Sequence, residues 1–186
     1  MAPPYRDAPD LEAIRRSNPK MSAVLLLLYE HHDQPHVAMI RRADARGVHA
    51  GQIGFPGGRR EPVDTGPEYT ALRETREEIG VAEDTVRVLG RLSPLYVPPS
   101  HFWIDPFVGW VAERPRFIPE PGEVSEVLEV PVTDWLSVPD GVPSRVHIPR
   151  LDVHVDVPGY PLGSDVVWGA SAMILAEFFH ILNHTP

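Results

Sequence analysis

At 186 residues the chain is long enough for one substantial core and short for two. Hydrophobic residues at 42% and charged residues at 23% exclude a disordered chain. The net charge of -9, from 17 Lys plus Arg against 26 Asp plus Glu, excludes a general nucleic-acid binder, which needs a basic footprint.

Residues 1–20 form a polar, proline-bearing N-terminal arm with one short helix around Leu11 to Arg16, and residues 21–186 form a single domain. The arm has no apolar signal core, and the run Ala23 to Tyr29 is far too short to span a bilayer, so the expectation is a cytoplasmic protein with no membrane or nucleic-acid partner. Cysteine is absent, which removes disulfides, thiolate zinc sites and Cys nucleophiles. Ser22 to Tyr29 and His36 to Arg41 are strand-like, joined by a polar connection over Glu30 to Pro35. His31, His32 and His36 read as loop histidines, because no carboxylate partner or regular ligand spacing accompanies them. Arg41 and Arg42 close the second strand, where they are either solvated or placed to meet a phosphate.

Phe55-Pro56-Gly57-Gly58 follows, a turn whose glycines can bend the backbone sharply and bring a carbonyl or amide close to a ligand. A helix comes next. Thr65 with Glu68 three residues on fits a capping box, Pro67 suits the first turn, and Gly80 suits the left-handed position past the last turn. Ala71, Leu72, Thr75 and Ile79 make its less polar side. Glu74, Glu77 and Glu78 lie three and four apart, so they share a face and crowd their carboxylates together. Like charges at that spacing cost roughly 0.2–0.5 kcal/mol per pair on an exposed helix, a penalty that a bound divalent cation turns into a gain. Such a face is otherwise simply solvated, and the glycine turn beside it is what favours a metal site.

Beyond the helix, Val86 to Leu92, Phe102 to Val111 and Glu126 to Val132 read as strands, Pro131 and Asp134 open a short helix toward Leu136, and Val146 to Val157 reads as a hairpin. Val166 to Leu182 has a long apolar pattern that suits a closing helix. Phe102, Trp103 and Trp110 either pack in the core or stack on a base. Strands interrupted by two well-separated helices predict an α/β fold, a mixed β-sheet covered on both faces as an α/β/α sandwich.

Gly58, Asp64, Arg73-Glu74, Glu77-Glu78 and Gly80-Val81 resemble the signature box of the Nudix hydrolases. Two departures stand out: an Asp occupies the place of the first box Glu, and eight residues rather than seven separate it from Arg73. The coenzyme A pyrophosphatase branch resembles this chain in both. It is similar also over His49-Ala50-Gly51-Gln52-Ile53-Gly54-Phe55-Pro56-Gly57-Gly58, Thr70 to Glu74, Pro106-Phe107-Val108-Gly109, Glu123-Val124-Ser125-Glu126-Val127 and Trp168-Gly169-Ala170. Ala43 and His101-Phe102 depart from that branch, which commonly has a Ser and a Gly-aromatic pair there.

The resemblance implies a Nudix fold and hydrolysis of coenzyme A to 3′,5′-ADP and 4′-phosphopantetheine. Other substrates of that class (ADP-ribose, NADH) and a non-catalytic nucleotide-binding module are the alternatives. Metal ligands are Glu74, Glu77 and Glu78, with the Gly57 carbonyl as a further donor. Oxygen ligands alone suit Mg²⁺ or Mn²⁺ rather than zinc. The general base is Glu74 or, outside the box, Glu126 with Glu123 as second choice. Arg73 braces the turn through backbone carbonyls or Glu77. Arg41, Arg42, His49, Gln52, Gly57 and Gly58 are the substrate-contact candidates. Monomer and homodimer both stay open.

Overall fold

A computed structural model describes residues 11–43, 51–138, 140–148 and 152–184. After α1 (Leu11–Arg16), two long strands form the spine of the sheet, β1 (Lys20–His31) and β2 (Gln34–Arg42). Their connection is shorter than the sequence suggests. His31 pairs with Gln34, and the two residues between them, His32 and Asp33, have φ of 51° and 57°. That two-residue turn with positive φ matches the twist of a hairpin, so the strands run on through the polar stretch expected as a loop.

The short strands β3 (Ile53–Gly54) and β4 (Gly57–Arg59) then form a wedge that sequence periodicity does not reveal. Beyond the Leu27↔Ala38 pair, β3 pairs with β2 and β4 with β1, so the wedge is pinned on both sides. The helix α2 (Pro67–Ile79) follows, then a 3-10 turn at Glu83–Thr85, β5 (Arg87–Arg91), β6 (Leu95–Val97), β7 (Phe102–Val111) and β8 (Val124–Pro131). β7 lies parallel to β1, while β5, β6 and β8 add antiparallel pairs, giving a mixed eight-stranded sheet. A 3-10 turn at Val132–Trp135 leads to β9 (Val142–Ile148), β10 (Val153–Leu162) and β11 (Asp165–Trp168), a second sheet of three strands, and α3 (Ala170–His184) ends the described fold.

Alternation along β1 builds two cores. Ala23, Leu25, Leu27 and Tyr29 pack with Ala71 and Ile79 of α2, whereas Leu26 packs with Ile174, Leu175, Phe178 and Phe179 of α3. Helices thus cover opposite faces of the sheet, the expected α/β/α sandwich. Each fully buried Leu contributes about 1.5–3 kcal/mol relative to exposure, so the β1 leucines anchor both layers.

Two expectations are corrected. Val166 to Trp168 belongs to β11, not to the closing helix: β-branched residues pair there with β10, and Gly169, at φ 65°, turns the chain before α3 begins. The capping box does not form, because Gly66 in extended conformation takes the N-cap and no side chain caps the helix. At its other end, Gly80 has the left-handed conformation expected (φ 75°) and its N–H donates to the Arg76 carbonyl. Trp103 is buried, with its indole N–H on Asp105, so core packing is its role. His49 lies outside the described residues.

Candidate active site

The wedge and α2 are in direct contact, and the glycines explain how closely they approach. A Cβ on Gly57, whose φ is 150°, would sit 2.4 Å from the Ala23 carbonyl oxygen. A Cβ on Gly58 would lie 2.4 Å from a carboxylate oxygen of Glu74. The turn therefore needs both glycines, one for the close approach to β1 and one to leave room for an acid.

Glu78 is buried against this turn. Its Oε2 accepts the Gly57 N–H at 2.7 Å, and its Oε1 lies 3.5 Å from Arg42. Burial pushes its carboxyl up to about 7, the negative charges of Glu74 and Glu123 push the same way, and Arg42 and the Gly57 amide oppose them. Glu74 is raised too, first by burial and then, against the pull of Arg73, by Glu77 and Glu123. Four acids therefore share this field: Glu74, Glu77, Glu78 and Glu123. Glu77, also expected as a metal ligand, is exposed and already engaged, its two oxygens accepting from Arg73 at 2.9 Å and Arg76 at 3.0 Å.

Arg73 is a buried brace. It donates to both oxygens of Asp64 at 2.8 and 3.0 Å, to the Arg59 carbonyl at 3.1 Å and to Glu77, and it pairs with Glu74 at 2.9 Å. Asp64 also accepts from the Glu61 N–H and the Thr70 hydroxyl. The Arg73 guanidinium holds the Asp64 carboxyl far below the usual carboxylate range, outweighing the opposite pull of burial. Arg73 thus holds the wedge against α2 through a backbone carbonyl and Glu77, the partners expected from the sequence, and also through Asp64 and Glu74.

Among the described residues no three His, Cys, Asp or Glu side chains converge as a formed metal cage. The donors nonetheless suit a hard cation: carboxylates of Glu74 and Glu78 and the Gly57 carbonyl, all oxygen. A cationic group already stands there, since Arg42 donates to the Gly57 carbonyl at 3.0 Å while facing Glu78. The turn and the buried acid are therefore built to receive positive charge.

The remaining candidates divide. Arg42 joins the acids, whereas Arg41 turns to Glu126 at 3.0 Å and to both oxygens of Asp165 at 3.2 and 3.0 Å. Glu126 is thereby engaged, and Glu123, the second choice as base, is the one whose charge reaches Glu74 and Glu78. The Gln52 carbonyl accepts from the Arg42 N–H at 3.0 Å. Asp165 was missed, being 124 positions from Arg41 with no local signal. Two cavities of about 450 and 400 Å³ lie elsewhere, at the N-terminal end of α2, and none of Glu74, Glu77, Glu78 or Glu123 lines them.

Comparisons with known proteins bear on the family and the fold. A NUDIX domain model matches residues 19–151. A protein named "Uncharacterized Nudix hydrolase NudL" from Pectobacterium atrosepticum is 32% identical over 174 residues, covering 94% of this chain and 89% of the relative. Its namesake from Yersinia pestis is 35% identical over 147 residues, covering 76% and 70% respectively. Among solved structures, the Nudix hydrolase RenU from M. smegmatis aligns with TM-score 0.61 at 16% identity over 90% of this chain and 88% of that one. A MutT/nudix family protein from Enterococcus faecalis aligns with TM-score 0.59 at 19% identity over 96% and 71%. These two establish the fold alone.

Proposed function

Because this chain belongs to the Nudix hydrolase family, whose members act on diphosphate bonds, we propose that it cleaves coenzyme A, or an acyl derivative, to 3′,5′-ADP and 4′-phosphopantetheine. The observation that carries the reaction class is the buried Glu78 on the Gly57 amide, with Glu74 and Glu123 within electrostatic reach and a guanidinium on the adjoining carbonyl.

Glu74, Glu78 and the Gly57 carbonyl would hold a divalent cation such as Mg²⁺ or Mn²⁺. When bound, such an ion supplies Lewis-acid polarisation of a phosphoryl oxygen and lowers the pKa of water. The chain's own groups do the rest. The Asp64–Arg73 brace keeps Glu74 against Gly58, so the acids are positioned before substrate arrives. Arg42 is placed to meet negative charge on the diphosphate. Glu123 is exposed beside the acids and makes no ion pair among the described residues, which suits it to accept the proton of the attacking water. The water oxygen bonds to one phosphorus, the bridging P–O bond breaks, and the second phosphate leaves with its electron pair.

Support for coenzyme A comes from segments outside the box. Arg41 of β2 ties Glu126 of β8 to Asp165 of β11, and Ser171 of α3 lies 3.2 Å from where a Cβ on Gly54 would be. The stretches that resemble the coenzyme A branch, around Gly54, Glu126 and Trp168-Gly169-Ala170, thus gather on one side of the wedge. Mass-spectrometric product analysis on coenzyme A, NADH and ADP-ribose with Mg²⁺ or Mn²⁺ tests the proposal, with Glu78→Gln as control. Metal-dependent release of 3′,5′-ADP by the parent alone is expected. Cleavage of only the other two substrates would overturn the coenzyme A assignment, and no cleavage of any would overturn catalysis.

A further inference from the structure

Three arginines from separate segments share one hollow that none of Glu74, Glu77, Glu78 or Glu123 lines. Arg15 of α1, Arg60 after β4 and Arg91 of β5 line the cavity of about 400 Å³, together with Thr70 and the buried Asp105. On a chain with an excess of nine negative charges, this local balance of three cations to one anion is an inversion. Of the three arginines Asp105 pairs with Arg91 alone, and it also accepts the Trp103 indole N–H. Arg15 lies over the Trp103 ring at 4.8 Å from its centroid, and Arg60 makes one long bond, 3.4 Å, to the Asp64 carbonyl. Among the described residues neither meets a carboxylate.

We propose that this hollow binds an organic phosphomonoester, with the phosphate on Arg15, Arg60 and Arg91. Guanidinium forks match phosphate oxygens two at a time. The local excess is two positive charges after Asp105 is counted, and a phosphomonoester at neutral pH carries roughly -1.5 to -2, whereas one carboxylate would leave the excess half answered. The organic body has its own place. The adjoining cavity of about 450 Å³ shares Pro67 and Arg91 with the first and is walled by Tyr69, Leu72 and Phe107. An aromatic or apolar group attached to the phosphate would lie against that wall. This site is separate from the acidic centre, although Arg60 and Thr70 on its wall both bond to Asp64 of the brace.

The test is isothermal titration calorimetry on the full chain with AMP, adenosine and inorganic phosphate, in chelator so that the acidic centre carries no metal. AMP is expected to bind, with adenosine and inorganic phosphate each weaker by about tenfold or more. Arg15→Ala with Arg60→Ala should lose AMP affinity by about tenfold or more, while Glu78→Gln keeps it. Both arginines are exposed, so the double variant should keep the parent's melting temperature, which checks that it folds. Inorganic phosphate binding as tightly as AMP would overturn the place given to the organic body. Unchanged AMP affinity in the arginine variant, or its loss in Glu78→Gln, would overturn the site.

Discussion

Two buried carboxylates, Asp64 and Glu78, both join α2 to the chain that precedes it, and their environments push them in opposite directions. Asp64 has the Arg73 guanidinium on both oxygens, a backbone amide and the Thr70 hydroxyl, and its carboxyl is pulled far down. Glu78 has one amide at 2.7 Å, a guanidinium no nearer than 3.5 Å and two acids nearby, and it is pushed up to about 7. Burial alone raises both; the number and sign of partners decides. A satisfied acid is a fastener, and an under-compensated one is a seat for added positive charge.

The largest effect should come from breaking the fastener. Asp64→Ala leaves Arg73 buried without its main partner, which typically costs about 3–5 kcal/mol, so the melting temperature should fall by roughly 10 °C. Asp64→Asn tests the charge itself. With the folded carboxyl held below its ordinary value of 3.8, its stabilisation is fully present above that pH and is lost as pH falls toward the depressed value. Urea titrations should therefore show a gap between parent and Asn variant that is constant from pH 7 to 5 and narrows below 3.8. A gap that stays constant to pH 2 would mean Asp64 is not the acid that holds Arg73.

Glu78→Gln should behave in the opposite way. Turnover should fall about 100-fold or more, since a cation seat loses charge, while the melting temperature of the metal-free protein is kept or rises. A fall in stability comparable to that of Asp64→Ala would erase the distinction between the two acids. Gly57→Ala sharpens it from the backbone side: the new Cβ would meet backbone atoms of Ala23 and Val24 at 2.4 and 2.6 Å. Overpacking of that kind costs about 1–3 kcal/mol, and activity should fall with it. Full activity and stability in that variant would show that the close approach is dispensable.

Legibility in the sequence followed the length of the pattern. Phe102 to Val111 is bounded as expected, because a ten-residue run rich in aromatic and β-branched side chains leaves little choice. Pro67 and Gly80 likewise marked α2. β3 and β4, at two and three residues, are too short for any period to register, yet they place Gly57 and Gly58. β11 was hidden because Val166 to Trp168 continues the apolar run of α3. Motif spacing made Glu74, Glu78 and Arg73 readable, whereas Arg41–Asp165 and the three-arginine hollow join segments that only the fold brings together.

The smallest effect separates the two acids of β8's approach, and here sequence and geometry favour different residues. Outside the signature box Glu126 is the first choice as base, but Arg41 holds it at 3.0 Å, so its carboxylate is already engaged. Glu123, three residues earlier, adds its negative charge to both Glu74 and Glu78. Glu126→Gln should change kcat by no more than about twofold, the usual reach of a surface substitution. Glu123→Gln should lower kcat by roughly 100-fold at saturating metal, the low end of what a general base supplies. Steady-state kinetics on the two variants decides between them. If Glu126→Gln is the more damaged enzyme, Arg41 must release that carboxylate during turnover, and the Arg41–Asp165 contact becomes the clamp that takes up the freed guanidinium.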